Sequence, residues 1–514
     1  MIDKGEVTGM DWLSLKSGSD VRGTAVGEGL VLTNEIAAAL GYAFACKIAA
    51  LKKKPLSSVC IALGRDSRIT GEALLNATAD GISRAGANVY DFGMCTTPAM
   101  YMSTITDGFE ADGAVMITAS HHPWNKNGLK FFSNKGGLES AEISELLLAA
   151  AQADLPSHPQ TGTIRATSFL PVYMKQLSDR IRSGLHSTED QPLKGLHVAV
   201  DAGNGAGGFY AGMLQSLGAS TEGSQFLDPD GYFPNHIPNP ENPDAMASLQ
   251  KAVLQSGADL GVIFDADCDR AAVVDADGKE INRNRLIALI SAILLDEHSG
   301  STIVTDSVAS SGLKTFIESK GGHHYRYKRG YRNVIDEAVR LNKEGIDCPL
   351  AIETSGHAAL RENHFLDDGM YLVTVLIVKA MQLKREGKGL GSLISALKDP
   401  LESKEIRLNI TEADFRKKGQ EVIASLLHYA SSEESWHIAP DNREGVRICF
   451  DLQGQKDAGW FLLRLSVHDP VMPLNVESDV QGGVKEILLS LYQFLKTTDG
   501  IDIRPVEQAL NELK

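Results

Sequence analysis

Thr118-Ala119-Ser120-His121-His122-Pro123-Trp124-Asn125-Lys126-Asn127-Gly128-Leu129-Lys130 brings a hydroxyl, two imidazoles and amines into one short stretch. A serine flanked by histidines suits covalent group transfer, in which a hydroxyl takes up and returns a group. The apolar run Ala114-Val115-Met116-Ile117 just before it predicts a buried strand. Pro123 and Asn127-Gly128 are breakers, so the spacing predicts a turn at each and places Ser120 on a loop at a strand's C-terminal end. Ligands collect at such ends in open α/β sheets. The competing account is a polar turn that happens to hold a serine.

Asp265-Ala266-Asp267-Cys268-Asp269-Arg270 offers carboxylates at i, i+2 and i+4. Three such groups after a strand can converge on one hard divalent cation with positions left open, which suits Mg²⁺ holding a phosphate. A calcium-binding EF-hand would need glycine and glutamate where Arg270 and Ala276 stand, and helices where Leu260–Phe264 and Ala271–Val274 read as strands. A solvated acidic turn is the plain alternative. Further on, Ala351-Ile352 opens into Glu353-Thr354-Ser355-Gly356-His357, where a glutamate and a serine two apart can grip neighbouring sugar hydroxyls and a histidine can shuttle a proton. Lys328-Arg329-Gly330-Tyr331-Arg332 groups cations suited to an anion. Arg464-Leu465-Ser466-Val467-His468-Asp469-Pro470 can hold a phosphate through an arginine fork, a hydroxyl, an imidazole and loop N–H groups. An edge strand with an outward arginine fits that last segment equally well.

These loops need a scaffold, and 514 residues are too many for one core, so three or four domains are expected. A 43% hydrophobic and 23% charged composition is that of a globular protein. A net charge of −16 argues against nucleic acid or an anionic membrane as the main partner. It also means that an anionic substrate must be met by local arginines and lysines. The six scattered cysteines lack metal-like spacing and fit reduced thiols, hence a cytoplasmic setting or, after removal of a transit peptide, an organellar stroma. Ile36–Leu51 is Ala-rich and carries Lys47, which predicts a packed helix and no membrane span.

A strand–turn–helix pattern recurs at Val59–Leu63, Leu196–Val200 and Thr302–Thr305, followed by helices marked by Leu75, Ala79 and Ile82, by Met213-Leu214, and by Leu313, Phe316 and Ile317. Such units favour parallel pairing with helices on the sheet faces. A charged, glycine-rich segment from Gln382 to Ser392 precedes a helical segment ended by Asp399-Pro400. Past it the order changes: strands at Glu405–Ile410, Val446–Phe450 and Trp460–Val467, with helices at Ala413–Tyr429 and Val484–Leu495, predict an α+β domain.

Taken in this order, the loops resemble the α-D-phosphohexomutase family, most closely its phosphomannomutase/phosphoglucomutase branch, over nearly the whole chain. Thr-Ala-Ser-His-His-Pro with Asn127–Lys130 looks like the phosphoserine loop, Asp265–Arg270 like the metal loop and Glu353–His357 like the sugar loop; Gly445-Val446-Arg447, Gly459-Trp460 and Arg464–Pro470 follow the run into the phosphate loop. That last loop departs from the pattern. The family usually has Gly or Asn, then Thr, where Val467 and His468 stand, and often Arg at the place of Asn475.

The resemblance implies an α/β, four-domain, heart-shaped architecture: three related α/β/α domains at 1–190, 191–298 and 299–403 and a C-terminal α+β domain at 404–514. It implies a phosphoryl group on Ser120 and one Mg²⁺ held by Asp265, Asp267, Asp269 and the Ser120 group. His121, Arg22 and Arg270 belong to the catalytic set, with Lys130 and His357 as acid/base candidates. Glu353 and Ser355 would hold sugar hydroxyls; Lys328, Arg464, Ser466 and His468 would hold the distal phosphate. The implied reaction interconverts glucose or mannose 1- and 6-phosphates through a hexose 1,6-bisphosphate, which also serves as activator. A phosphoglucosamine mutase, a Mg²⁺-dependent sugar phosphatase and a weakly active sugar-phosphate binder are the alternatives.

Overall fold

The computed structural model describes residues 11–156, 162–466 and 469–513. The chain divides into two compact bodies, one running through Asn282 and including Ser355–Ser392, the other made of Arg283–Thr354 with the chain from Leu393 on.

The first body holds two sheets. In one, Gly113–Ile117, Cys60–Arg65, Asn88–Met94 and Ile164–Ala166 run parallel, while Lys126–Ser133, Asp20–Thr24 and Lys16–Ser17 extend it antiparallel beyond Gly113–Ile117. Every residue of Gly113–Ile117 is buried, as the unbroken apolar run requires of a central strand. Asn34–Lys52 is the one helix among the described residues long and apolar enough to cross a membrane, yet Ile36, Leu40, Phe44 and Ile48 lie in the core. It crosses Gly71–Arg84 so closely that a Cβ at Gly81 would sit 1.9 Å from the Ala38 carbonyl oxygen. The other sheet pairs Val198–Asp201 parallel with Leu260–Phe264, which turns back through Ala271–Asp275. The helix Gly369–Arg385, buried nearly all round, starts against this hairpin: a Cβ at Gly369 would lie 2.6 Å from the Arg270 carbonyl carbon.

In the second body His323–Arg326, Thr302–Thr305 and Leu350–Ile352 run parallel in that order. The C-terminal part is an antiparallel sheet ordered Glu402–Asn409, Val471–Ser478, Gln455–Leu463, Val446–Leu452, His437–Ile438. Helices Phe415–Ser432, Gly483–Leu495 and Arg504–Glu512 contribute to its core.

Some sequence expectations need correcting. Asn127-Gly128 is no turn but lies inside the strand Lys126–Ser133, with Arg22 opposite Gly128. Glycine is needed there for close approach, since a Cβ would meet the Val21 carbonyl oxygen at 2.4 Å and that of Thr118 at 2.7 Å. Gln382–Arg385 is the end of a helix, and after it only a short 3₁₀ turn, Leu390–Ile394, forms among the glycines. The strand expected over Trp460–Val467 begins at Gln455 and ends at Leu463. Val471–Ser478 and Arg504–Glu512 were not anticipated, the first because Pro473 breaks its pattern. Pro473 faces Arg407 on Glu402–Asn409 and lies one residue past the pairing with Gln455–Leu463, which ends at Leu463 opposite Leu474.

Candidate active site

Ser120 is buried, inside the turn closed by the His122 N–H and the Ala119 carbonyl, with φ of 51°. Its Oγ donates to Asp265 Oδ2 at 2.9 Å and accepts from Arg270 Nη2 at 3.1 Å, with His121 Nδ1 at 3.2 Å. The sequence places Asp265 and Arg270 at the two feet of one hairpin, Phe264 pairing with Ala271. Arg270 closes that loop on itself, its N–H donating to Asp265 Oδ1 and its Nε to Asp265 Oδ2. A second Arg270 contact, Nη2 to His121 Nδ1, makes the imidazole an acceptor. Burial first, then the Arg270 charge, holds His121 far below the ordinary histidine range. Through this contact the His121 ring is placed to orient the Arg270 guanidinium.

The three aspartates of this hairpin are buried and their carboxylate oxygens lie within 4.8 Å of one another. Burial, then the neighbouring Asp269, pushes Asp265 up to about 7, and the same causes push Asp267 well above its ordinary value. Asp269 goes the other way: burial opposes its charge, but Lys130, His357 and Arg270 hold it below the usual carboxylate range. Thr97 Oγ1 donates to Asp267 Oδ2 at 2.5 Å, while Asp267 Oδ1 and Asp269 Oδ1 have no hydrogen-bond partner. Buried oxygens of this kind are costly unless something cationic meets them.

Lys130 and His357 both belong to this region. Lys130 Nζ lies 3.1 Å from Asp269 Oδ2 and 3.4 Å from Asp20 Oδ2. Arg22 donates to the same Asp20 oxygen at 2.8 Å, so Asp20 ties the two cations together. His357 pairs through its backbone with Arg270, and its Nδ1 is 2.5 Å from Asp367 Oδ2. Asp20 and Asp367 went unread in the sequence, since a lone aspartate beside a turn or a helix start carries no local signal. Asp66 and Arg68 lie just past the strand Cys60–Arg65, and only the fold brings them to the serine loop.

The Glu353–His357 loop is parted by the division of the chain: Glu353 and Thr354 fall in the second body, Ser355 and His357 in the first. Glu353 Oε1 accepts from the Gly330 N–H at 2.6 Å and Thr354 Oγ1 donates to Asp306 Oδ2 at 2.7 Å. Ser355 is buried and Lys328 exposed. Glu444, also unread in the sequence, accepts from the Arg329 N–H and the Ser307 hydroxyl. Arg464 lies past the end of its strand with Nε buried and unpartnered. Burial depresses its pKa, Glu444 raises it and Arg329 lowers it. Ser466 Oγ accepts from the Asp469 N–H at 3.3 Å. His468 lies outside the described residues.

Comparison with known proteins agrees with this layout. Residues 14–155, 171–278 and 282–400 match the models for phosphoglucomutase/phosphomannomutase α/β/α domains I, II and III. The phosphomannomutase/phosphoglucomutase of Pseudomonas aeruginosa is 30% identical over 483 residues, covering 93% of this chain and 95% of that protein. A phosphoglucomutase of Neisseria gonorrhoeae is 29% identical over 470 residues, 91% of this chain and 94% of that one. The crystal structure of a phosphoglucomutase/phosphomannomutase family protein from Burkholderia thailandensis superposes with a TM-score of 0.78 at 26% identity, over 95% of this chain and 98% of that one. With its three α/β/α domains matched and its serine and aspartate loops joined at one buried site, the chain belongs to the phosphoglucomutase/phosphomannomutase family, the α-D-phosphohexomutases.

Proposed function

We propose that the chain interconverts hexose 1-phosphate and hexose 6-phosphate, of glucose, mannose or both, through a phosphoserine at Ser120 and a 1,6-bisphosphate intermediate. One observation carries the reading: Ser120 Oγ is held between the Asp265 carboxylate and the Arg270 guanidinium, beside carboxylate oxygens that lack hydrogen-bond partners.

Those oxygens fit a divalent cation, and Asp265, Asp267 and Asp269 would hold one Mg²⁺ together with the phosphoryl group of Ser120. Bound there, it would supply charge stabilisation to the transferring phosphoryl oxygens. The chain's own groups do the rest. The sugar hydroxyl loses its proton to Lys130 or His357 as it forms the new P–O bond, and the bond from phosphorus to Ser120 Oγ breaks. Arg270, 3.1 Å from Oγ, meets the negative charge left there, and Arg22 supports the phosphoryl group. The bisphosphate then reverses in orientation and returns its other phosphoryl group to Ser120. Glu353 and Ser355 take the sugar hydroxyls. Lys328, Arg464, Ser466 and His468 take the phosphate that is not reacting. The division into domains at 1–190, 191–298, 299–403 and 404–514 belongs to the same reading, supported by the run of separate strand groups along the chain.

Peptide mapping of the purified protein should find phosphate on Ser120. A coupled assay with the 1-phosphates of glucose, mannose and glucosamine, each with its bisphosphate, should show turnover of the first, the second or both. Phosphate found only elsewhere, or turnover confined to the amino sugar, would overturn this reading.

A further inference from the structure

Ser120 has a Cβ yet sits in the left-handed region, a conformation that persists only where its surroundings impose it. The carbonyls of its loop converge on a single buried side chain. Arg68 Nη2 donates to the Ser120 carbonyl oxygen at 2.5 Å and to that of His122 at 2.6 Å; Nη1 donates to those of Pro123 at 2.7 Å and Lys126 at 2.9 Å. One guanidinium thus gathers four carbonyls of the serine loop and bonds to no other carbonyl among the described residues.

The other side of the loop is held by the same partners. The Ser120 N–H donates to Thr118 Oγ1 at 2.8 Å, which donates to Asp66 Oδ2 at 2.6 Å, and that oxygen lies 3.2 Å from Arg68 Nε. The ring from Ser120 carbonyl to Ser120 amide is closed through Arg68, Asp66 and Thr118. Asp66 in turn is fixed, its N–H donating to the Ile117 carbonyl and its Oδ1 accepting from the Arg68 N–H. The Phe233 ring lies 5.1 Å from the guanidinium carbon, and Gly231 is pressed against the Arg68 turn so closely that a Cβ would meet Ser67 O at 2.3 Å. Neither the amide nor the carbonyl of Ser120 can turn without breaking a charged or buried bond.

We propose that Arg68, with Asp66 and Thr118, is the positioning device for phosphoryl transfer: it fixes the backbone of Ser120 so that Oγ keeps its aim while the phosphoryl group leaves and returns. The inference rests on Ser120 being the phosphoryl carrier. Arg68 touches no reacting atom, so its loss should misplace the nucleophile without removing any group that binds substrate. Misplacement of about 1 Å lowers a rate by on the order of 10²-fold.

The test uses the full-length Mg²⁺-loaded enzyme, with Arg68→Met, Arg68→Lys and Thr118→Val beside Ser120→Ala. Rapid-quench single turnover measures transfer from the phosphoenzyme to glucose 6-phosphate, alongside steady-state kcat and KM and thermal melts. Folded Arg68→Met should transfer about 10²-fold more slowly, with KM within about threefold of wild type. Arg68→Lys, which cannot span four carbonyls, should recover only part of the rate. Thr118→Val, which leaves the guanidinium in place, should lose roughly tenfold and decides the matter if Arg68→Met does not fold. Transfer within about threefold of wild type in folded Arg68→Met or in Thr118→Val, or a loss seen only in KM, overturns the clamp. Sustained turnover by Ser120→Ala would instead overturn the reading of Ser120, and the clamp with it.

Discussion

The loops around Ser120 and those around Arg464 are both polar, but they are unfinished in opposite senses. Around Ser120 most charged groups already have partners, and what is left over includes two carboxylate oxygens, Asp267 Oδ1 and Asp269 Oδ1, beside the donor Nε of Arg22. Those two oxygens leave room for a further cation. Around Arg464 the leftovers include a donor, Arg464 Nε, together with an acceptor at Asp306 Oδ1. On the proposed function, a sugar phosphate would complete this second region with a negative oxygen and a hydroxyl. On the same reading, the groups around Ser120 are ordered before substrate arrives, whereas those around Arg464 are left for the substrate to complete.

If that contrast is right, the largest loss on removing one recognition residue should come from Arg464. Arg464→Ala is expected to cost about 2–4 kcal/mol in kcat/KM for glucose 1-phosphate, mainly through KM, because a distal phosphate is bound in ground and transition states alike. Near-wild-type kinetics would mean that the region is completed in some other way. On the other side, Asp267→Asn should raise the Mg²⁺ requirement and lower kcat by about tenfold or more. Full activity in excess chelator would remove the cation from the account.

Proton linkage sharpens the comparison further. Asp265 stays protonated up to about 7 in the fold, because of burial and then the neighbouring Asp269, against 3.8 ordinarily. The folded state therefore binds more protons than the unfolded chain between these values. Stability from this group is complete below about pH 4 and is lost as pH rises through 7. Melts in chelator should fall across that window, by about 1 °C for each kcal/mol lost from a chain of this length. Added Mg²⁺ should offset the fall. A melting temperature that does not change with pH in chelator would sink this.

Much of the first region could be read from the sequence, because its groups sit on two short stretches. The i, i+2, i+4 aspartates and the serine after an apolar run are local patterns that a strand end displays directly. The groups that complete it were not legible: Asp20, Arg68 and Asp367 act across long sequence separations, and a single charged residue beside a turn looks like any solvated one. Asn127-Gly128 misled for a related reason, since the glycine serves two neighbouring carbonyls and not a turn. In the second region Asp306 and Glu444 escaped notice likewise, while the unfamiliar Val467-His468 pair falls outside the described residues. Strand ends near Leu463 and Val471 depended on antiparallel neighbours, which no local pattern reveals.

The left-handed Ser120 also sets activity against durability. At ordinary positions alanine is favoured over glycine, because glycine has more backbone freedom to lose. At φ of 51° the order should reverse. Ser120→Gly and Ser120→Ala both lack the hydroxyl, so comparing them isolates the backbone; the glycine variant should be the more stable by about 1 kcal/mol in denaturant unfolding. An alanine variant of equal or greater stability would show that the conformation is unstrained. If the glycine variant is the more stable, the fold is better served at this position by a residue that cannot carry phosphate, and drift toward stability alone would erase the enzyme.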